Sequence, residues 1–224
     1  MASFFSLTLD TTAPSGLTLA INGGAAATST RNVTLTIGVT DADTTGYQML
    51  IWGIDGVASE AAATWQTYAT SKAVTLTDGD GTKTVYIKVR DAVGNVVASA
   101  VSATIELDTT APTVTITYGP SAAVISVGGT VTEATVKWKA SEVFDEYKVM
   151  VVSSTSAEYD DEGSVQIPTT AGSTNVSGNA GDYPADTEIE TVIVGGDLQT
   201  ASSGDGAKTI KVFVKDQQGN WSVA

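Results

Sequence analysis

One hexapeptide, Leu-Asp-Thr-Thr-Ala-Pro, occurs twice in this 224-residue chain, at residues 9–14 and 107–112. A longer pair of segments agrees with it, because the order Asp-Gly, Lys-Thr, an alternating Val/Ile run and Gly-Asn in residues 80–95 returns in residues 205–220. A repeat spacing of about 100 residues is the size of a small domain and not of a solenoid unit. The sequence therefore predicts one module used twice.

Apolar and polar residues alternate in almost every periodic segment, as in Val33, Leu35 and Ile37 with threonines between them. Half-buried strands of antiparallel sheets have this pattern. The predicted strands span residues 17–21, 32–40, 47–53, 73–76, 82–91 and 96–107 in repeat 1, and 113–118, 124–127, 134–140, 146–153 and 208–215 in repeat 2. Short strands with turn signals roughly every 8–12 residues predict an all-β chain of two tandem antiparallel β-sandwich domains.

The repeat also sets the predicted domain borders: an N-terminal strand in residues 1–8, domain 1 in 9–107 and domain 2 in 108–224. Domain 2 carries an acidic, Gly/Ser/Thr-rich insertion around residues 156–203, within which segments 164–167 and 188–194 are predicted to pair as an extra hairpin. Loops on a rigid scaffold often carry binding.

Glycine-rich segments mark the predicted turns. Tight hairpins are expected at residues 78–81 and 204–206, and further hairpin turns at Gly-Asn 94–95 and 219–220. A helical turn is expected only within residues 58–65.

The composition excludes several function classes. There are 25 acidic residues against 11 basic ones, and nine acids without a single Lys or Arg in residues 156–200, which argues against nucleic-acid binding and against an anionic membrane surface. Cys and His are absent, so disulfides, thiolate or imidazole metal sites and the common catalytic triads are excluded. No apolar stretch approaches the roughly 18–20 residues of a membrane span, and we expect no membrane insertion.

Repeat 2 is expected to lack its final strand. Residues 1–8 align with 99–106, the last strand of repeat 1, whereas only four residues follow the Gly-Asn at 219–220. A missing edge strand exposes backbone groups and core, so we expect the N-terminal strand of another copy, or a segment of another protein, to complete domain 2. Between identical chains this gives a ring or a filament. The alternative is that domain 2 closes with fewer strands, or that the chain is a truncated form.

Four motifs together resemble the bacterial immunoglobulin-like repeat: Asp-Thr-Thr-Ala-Pro, Thr-Trp-Gln-Thr-Tyr at residues 64–68, the Asp-Gly-rich segment 75–86, and Arg-Asp-Ala-Val-Gly-Asn at 90–95. Such repeats occur in bacterial surface adhesins and in virion proteins of tailed bacteriophages. The resemblance implies immunoglobulin-like sandwiches used for display, spacing and adhesion. Repeat 2 departs from it, because the Trp-x-x-Tyr element and the final strand are missing. Fold alone assigns no ligand.

Clustered oxygen ligands make calcium the one cofactor for which the sequence offers candidate sites. Asp91 and Asn95 with Asp108 at the junction are predicted to form an interdomain site resembling those of calcium-rigidified surface repeats, and Asp160, Asp161 and Glu162 are the second candidate. The carboxylates lie in turns, where Asp commonly caps its own backbone, and not as a separated pair in a cleft. The chain is therefore not expected to be an enzyme.

Two aromatic residues are candidate ligand-binding residues. Trp65 and Tyr68 either stack on a sugar at the surface or plug the end of the sandwich core. Trp52 and Trp138 are expected in strands as core or sheet-face residues, and Trp221 is expected to lean on the open edge of domain 2.

The sequence favours a non-enzymatic structural protein of a bacteriophage particle, such as a capsid decoration, head fibre or tail accessory. The N-terminus lacks the basic and long apolar regions of a secretory signal, which favours a virion location over a bacterial surface. Expected partners are other virion proteins, further copies of the chain through the open edge, and a host-surface glycan. Two alternatives stay open: a fragment of a bacterial adhesin or surface-layer protein, and a carbohydrate-binding module presenting Trp65, Tyr68 and the acidic insertion.

Overall fold

The computed structural model describes residues 5–167 and 181–223. The contacts between residues divide the chain into two compact units, Met1–Thr109 and Thr110–Ala224. The border between them lies two residues after the one predicted between residues 107 and 108. Regular structure is almost entirely β-strand, which confirms the predicted all-β fold. Residues 168–180 of the predicted insertion and residues 1–4 of the predicted N-terminal strand lie outside the described part of the chain.

Unit 1 is a sandwich of a three-stranded and a five-stranded sheet. Its strands are β1 (Thr18–Ile21), β2 (Ala27–Thr28), β3 (Asn32–Gly38), β4 (Gln48–Trp52), β5 (Gln66–Thr67), β6 (Ser71–Thr75), β7 (Gly81–Arg90) and β8 (Val101–Leu107). The sheets have the orders β1-β3-β6 and β2-β8-β7-β4-β5. All pairs are antiparallel except β2 with β8.

The core of unit 1 is aliphatic and lies between these two sheets. Val33, Leu35 and Ile37 of β3 are buried together with Val85 and Ile87 of β7, while the intervening threonines of β3 face solvent. The two-residue period of the sequence thus places one face of β3 and one face of β7 in the core, as predicted.

Unit 2 contains two three-stranded sheets. Its elements are β9 (Val114–Tyr118), β10 (Glu133–Ala140), β11 (Phe144–Val152), β12 (Val165–Gln166), β13 (Ile189–Val194), α1 (Gly195–Ala201) and β14 (Thr209–Asp216). The orders are β13-β10-β9 and β12-β11-β14. These six strands match β6-β3-β1 and β5-β4-β7 of unit 1, and no strand in residues 110–167 or 181–223 matches β2 or β8.

The core of unit 2 is more aromatic than that of unit 1. Trp138 lies between the sheets with Phe144 and Tyr147, and its indole Nε1 donates to the hydroxyl of the buried Thr191 at 2.9 Å. The Tyr183 ring stacks on Phe144 with centroids 4.8 Å apart. The insertion therefore contributes to this core.

Part of the predicted insertion also covers the outer face of the β12-β11-β14 sheet. Ala157 and Tyr159 pack there against Met150 and Phe213, with Trp221 completing the cluster. The segment is thus partly structural and not merely an exposed loop.

Several turn and hairpin predictions are wrong. Residues 78–81 join β6 to β7, which belong to opposite sheets, and residues 204–206 join α1 to β14; glycine-rich turns permit either connection. Segments 164–167 and 188–194 do form strands, but β12 pairs with β11 and β13 pairs with β10, not with each other. The turns at 94–95 and 219–220 and the helical turn within 58–65 are present.

Two element predictions in unit 2 also fail. Helix α1 was not predicted; its Leu198 and Ala201 pack on the core from a segment too short to show a helical period. Residues 124–127 were predicted as a strand but form none, and Val124 is 81% exposed. In unit 1 the comparable position is held by β2, whose partner is β8. Without a strand like β8 to pair with, residues 124–127 remain a loop.

Candidate interaction surfaces

The edge of β14 is the main difference between the two units. In unit 1, β7 pairs with β4 on one side and with β8 on the other, in a continuous register from Gly81–Leu107 to Ile87–Val101. In unit 2, β14 pairs with β11 alone, apart from a bridge between Lys215 and Trp221. Within the described residues, the backbone edge of 209–212 therefore faces no strand.

The missing pairing also exposes part of the core. Val85 and Ile87 of β7 are both 0% exposed, whereas Ile210 and Val212, which occupy the same positions of β14, are only half-buried. Across the sandwich, Ile116 of β9 is exposed as well. On this side of unit 2, apolar residues of the core are thus partly exposed to solvent.

A groove of about 550 Å³ occupies this place between the two sheets. Its walls are mainly aliphatic, formed by Val114, Ile116, Val136, Ile193, Ile210 and Val212. Lys208 borders the groove as well, whereas the Nζ atom of Lys211 lies on the outer face, where it donates to the Ala157 carbonyl. Such a surface is uncommon on a closed sandwich, because large contiguous apolar surface generally marks an interaction site.

The N-terminal segment has the opposite character. Residues 5–9 form no strand, and Phe5, Leu7 and Leu9 are 83%, 85% and 87% exposed. The three alternate with Ser6 and Thr8, the pattern of a strand that is apolar on one face. The chain therefore presents both an unfilled apolar groove and an uncovered strand-like segment.

The predicted metal ligands Asp91 and Asn95 are engaged with each other. The Oδ1 atom of buried Asp91 accepts the backbone N–H groups of Val93, Gly94 and Asn95 at 2.7–3.0 Å, and its Oδ2 accepts the Asn95 side-chain amide at 2.7 Å. Burial opposes ionisation of this carboxyl, but these hydrogen bonds hold the pKa of Asp91 below its ordinary value. The carboxylate thus stabilises the turn after β7.

Asp216 repeats this arrangement in unit 2. Its Oδ1 accepts the N–H groups of Gln218 and Asn220, and its Oδ2 accepts the Asn220 amide at 2.7 Å. The same local sequence therefore builds the same turn twice.

Asp108 does not join Asp91 and Asn95 within unit 1. It follows β8, whose last residue Leu107 pairs with Gly81 at the start of β7, whereas Asp91 follows the end of β7. Ten residues of strand separate these ends by about 30 Å. The predicted grouping of the three residues is therefore wrong for unit 1, because it treated two opposite ends of one strand as a single end.

The second predicted calcium cluster is an exposed turn. Asp160, Asp161 and Glu162 all face solvent, and the Asp161 carboxylate accepts the backbone N–H of Glu158 at 2.9 Å. This is the backbone-capping role that Asp commonly has in turns. Calcium binding there stays a prediction.

Trp65 and Tyr68 have different environments. Tyr68 packs against the core of unit 1 and its hydroxyl donates to the Ile37 carbonyl at 3.3 Å; burial raises its pKa. Trp65 lies outside the core, with the Arg90 guanidinium 4.4 Å from its ring centroid. The two residues do not form one aromatic platform.

The other tryptophans are structural. Trp52 is buried and stacks on Tyr86 with centroids 5.4 Å apart, and Trp138 is a core residue. Trp221 was expected at the open edge, and it does bridge to Lys215 there. Its ring, however, stacks on Tyr159 on the outer face of the sheet, so it does not fill the groove.

The sequence predicted a missing edge strand in repeat 2 and an uncovered part of its core, but not which residues would line the uncovered surface. The aliphatic lining of the groove and the unpaired loop 124–127 were not predicted as functional. The repeat itself contained a signal for the loop. Residues 124–127 occupy the position that β2 has in unit 1, and a strand at that position needs a final strand such as β8 to pair with.

No protein-family model matches the sequence, and no curated protein matches it significantly. Among solved structures, the chain is similar to the fibronectin(III)-like modules of CbhA from Clostridium thermocellum, with 13% identity, 92% of this chain and 90% of that chain covered, and a TM-score of 0.43. A two-domain fibronectin type-III segment of chicken tenascin shares 11% identity over 94% and 95% of the two chains, with a TM-score of 0.29.

A tetra-tandem repeat from the extending region of a large adhesion protein shares 20% identity with a TM-score of 0.29. The alignment covers 95% of this chain and 48% of that one, so the chain spans about half the length of that structure. The fold of this chain is defined by its own strand pairing. No helix in the described residues has both the length and the apolar character needed to cross a membrane.

Proposed function

We propose that this chain is a non-enzymatic structural protein of a bacteriophage particle, serving as a capsid decoration, head fibre or tail accessory. The observation that carries the proposal is that the described residues form two small β-sandwiches, of which unit 2 has an open strand edge beside a mainly aliphatic groove. A surface of that kind serves assembly and not chemistry.

The candidate chemical groups support a structural role as well. The carboxylates of Asp91, Asp161 and Asp216 each cap a backbone turn. General acid–base catalysis instead needs two carboxyl groups held apart in a cleft with separated pKa values. The resemblance of both repeats to modules of phage virion proteins and bacterial adhesins supports the proposed setting.

The location is tested by immunogold labelling of purified phage particles from a lysate of the organism that encodes the chain, together with peptide mass spectrometry of the same particles. The proposal predicts gold on the particles and peptides from both units. Labelling of intact uninfected cells, with unlabelled particles, would instead support the bacterial surface alternative.

Glycan binding is the second candidate, and the half-buried Trp65 ring outside the core, next to Arg90, is the observation that favours it. A saccharide array should then show binding that a Trp65→Ala variant loses and a Tyr68→Phe variant keeps, because Tyr68 belongs to the core. An array without any binding would remove this candidate.

A further inference from the structure

We propose that residues 5–9 of one copy of this chain add as a strand to the free edge of β14 in a second copy, fill the groove of unit 2, and so join copies head to tail. The proposal deepens the structural role given above and rests on it for its biological setting.

Unit 1 shows what the finished arrangement looks like. Its β8 lies antiparallel to β7 and directs Ala103, Ile105 and Leu107 inward, with Ile105 and Leu107 almost fully buried. It also holds β2 in parallel pairing. In unit 2, the absence of such a strand from the described residues explains both the groove and the loop at 124–127.

The N-terminal segment fits this position by its sequence. Residues 5–9 correspond to 103–107, because the identical Leu-Asp-Thr-Thr-Ala-Pro hexapeptide fixes the alignment at residues 9–14 and 107–112. Phe5, Leu7 and Leu9 then take the inward positions of Ala103, Ile105 and Leu107. Phe5 is larger than the alanine it replaces, and the groove of unit 2 offers the room.

The register follows from the pairing in unit 1. Gly81 faces Leu107 and Lys83 faces Ile105, so Gly206 is expected to face Leu9 and Lys208 to face Leu7 of the second copy. The segment carries no charge from Phe5 to Leu9, as burial against an aliphatic groove requires.

The contact between copies would repeat the hydrogen bonds that unit 1 makes to the residue leading into unit 2. In unit 1, Asp80 accepts both the backbone N–H and the hydroxyl of Thr109, at 2.8 and 2.7 Å. Thr11 is the corresponding residue of the hexapeptide, and Asp205 corresponds to Asp80. Thr11 of one copy is therefore expected to bind Asp205 of the next, which gives every joint along a filament the same chemistry.

The geometry of unit 1 favours a second copy over the chain's own groove. The Asn95 amide donates to the Asp10 carbonyl at 3.2 Å and so holds the N-terminal segment at the far end of β7. Thr109, which leads to unit 2, is held at the near end by Asp80. Residues 5–9 thus leave unit 1 about 30 Å from the linker. The contact is heterologous, and heterologous contacts generate rings or filaments.

The test is the concentration dependence of the mass of the purified 224-residue chain, measured by sedimentation velocity. The proposal predicts oligomers that grow with concentration, and a Leu7→Asp variant that stays monomeric. The matched control is Thr8→Glu, which places a charge on the outward face where β8 carries Glu106. This control should assemble as the original chain does. A chain that is monomeric at every concentration, or equal losses in the two variants, would overturn the proposal.

A second measurement separates weak assembly from none. A peptide of residues 1–12 should bind a variant that begins at residue 10, with one peptide per chain. It should also slow hydrogen exchange in residues 209–212 and in the loop 124–127, which gains the partner that β2 has. A peptide with Leu7→Asp should do neither. Equal effects of both peptides would contradict the proposal.

The outcomes distinguish this inference from the proposed function. Labelled phage particles with a monomeric purified chain would leave the structural role standing and remove the strand donation. Assembly of the purified chain without labelled particles would leave the donation standing and remove the virion setting.

Discussion

Unit 1 and unit 2 share six strands in the same order but differ at one edge. In unit 1, β8 closes the sandwich and buries Val85 and Ile87 completely. In unit 2, the matching Ile210 and Val212 border a groove, while the opposite half of the core is filled by Trp138, Phe144 and other aromatic rings. The comparison teaches that one half of a sandwich can be packed tightly while its other half stays available for a strand from elsewhere.

The two units also differ on the outer face of the sheet that contains β7 in unit 1 and β14 in unit 2. Unit 1 places Arg90 between Gln48 and the Trp65 ring, whereas in unit 2 the Nζ atom of Lys215 binds the Glu146 carboxylate at 2.6 Å. The hydrogen bond and the charge of Glu146 raise the pKa of Lys215 against the effect of burial. At the same position, an ion pair in unit 2 therefore replaces the contact of a charged side chain with uncharged partners.

The largest expected effect is on the free energy of unfolding, and it compares a core residue of β8 with the residue at the corresponding position of the exposed N-terminal segment. Ile105→Ala in unit 1 should lower the free energy of unfolding by about 2–5 kcal/mol, because it leaves a cavity in a packed core. Leu7→Ala occupies the corresponding position of the N-terminal segment, and in dilute monomer it should change that free energy by less than about 0.5 kcal/mol. Urea unfolding at low protein concentration measures both. Similar losses for the two variants would mean that residues 5–9 already belong to a core in the single chain.

A smaller effect tests whether the twin turns are equally important. Asp91→Asn should lower the Tm of unit 1 at neutral pH, because the amide cannot accept the hydrogen bond that Asn95 donates to Oδ2. The pKa of Asp91 is lower in the folded chain than its ordinary value, so its contribution is complete above about pH 4 and is lost as the pH falls through the folded pKa.

Thermal unfolding of the original chain and the variant should therefore differ near neutral pH and converge in acid. Asp216→Asn is the matched variant in unit 2 and should act on that unit's transition alone. A difference in Tm that stays constant down to low pH would contradict the role given to the ionised carboxylate.

The smallest effect concerns the ion pair on the outer face. Glu146→Gln makes unit 2 resemble unit 1 at this position and should cost about 0.2–1 kcal/mol, since partly exposed ion pairs contribute little. The loss should shrink in high salt. Chemical unfolding at low and high ionic strength measures it, and a loss above about 2 kcal/mol would show that the pair is far less exposed to solvent than its contacts indicate.

Much of the fold was predictable because apolar and polar residues alternate along the strands, and this alternation is visible in the sequence at Val33, Leu35 and Ile37. The sequence also predicted that the described part of unit 2 contains no counterpart of β8, since the hexapeptide fixes the alignment of residues 1–9 with 99–107. Which strands pair was not predictable, because a glycine-rich turn at 78–81 serves a hairpin or a crossing between sheets equally well.

The failures at residues 124–127 and at Asp108 have one cause. Local sequence specifies that Val124 and Val127 suit a strand, but a strand forms only if a partner is present, and the partner of β2 is β8. Local sequence likewise places Asp91 in a Gly-Asn turn and Asp108 at the domain junction, without showing that the length of β7 separates them. Both properties depend on long-range pairing, which neither segment encodes alone.

A cross-link between copies tests the completed edge most directly, because the chain contains no cysteine. Thr84 faces Thr104 in unit 1, so Ser6→Cys and Thr209→Cys should form a disulfide between two copies under mild oxidation, since directly paired strand residues lie within disulfide reach. Pairing Ser6→Cys with Lys211→Cys shifts the register by two residues and should cross-link far less. A ladder of head-to-tail multimers in the first variant alone is the predicted result. Equal cross-linking in both variants, or none in either, would contradict strand donation to the open edge of unit 2.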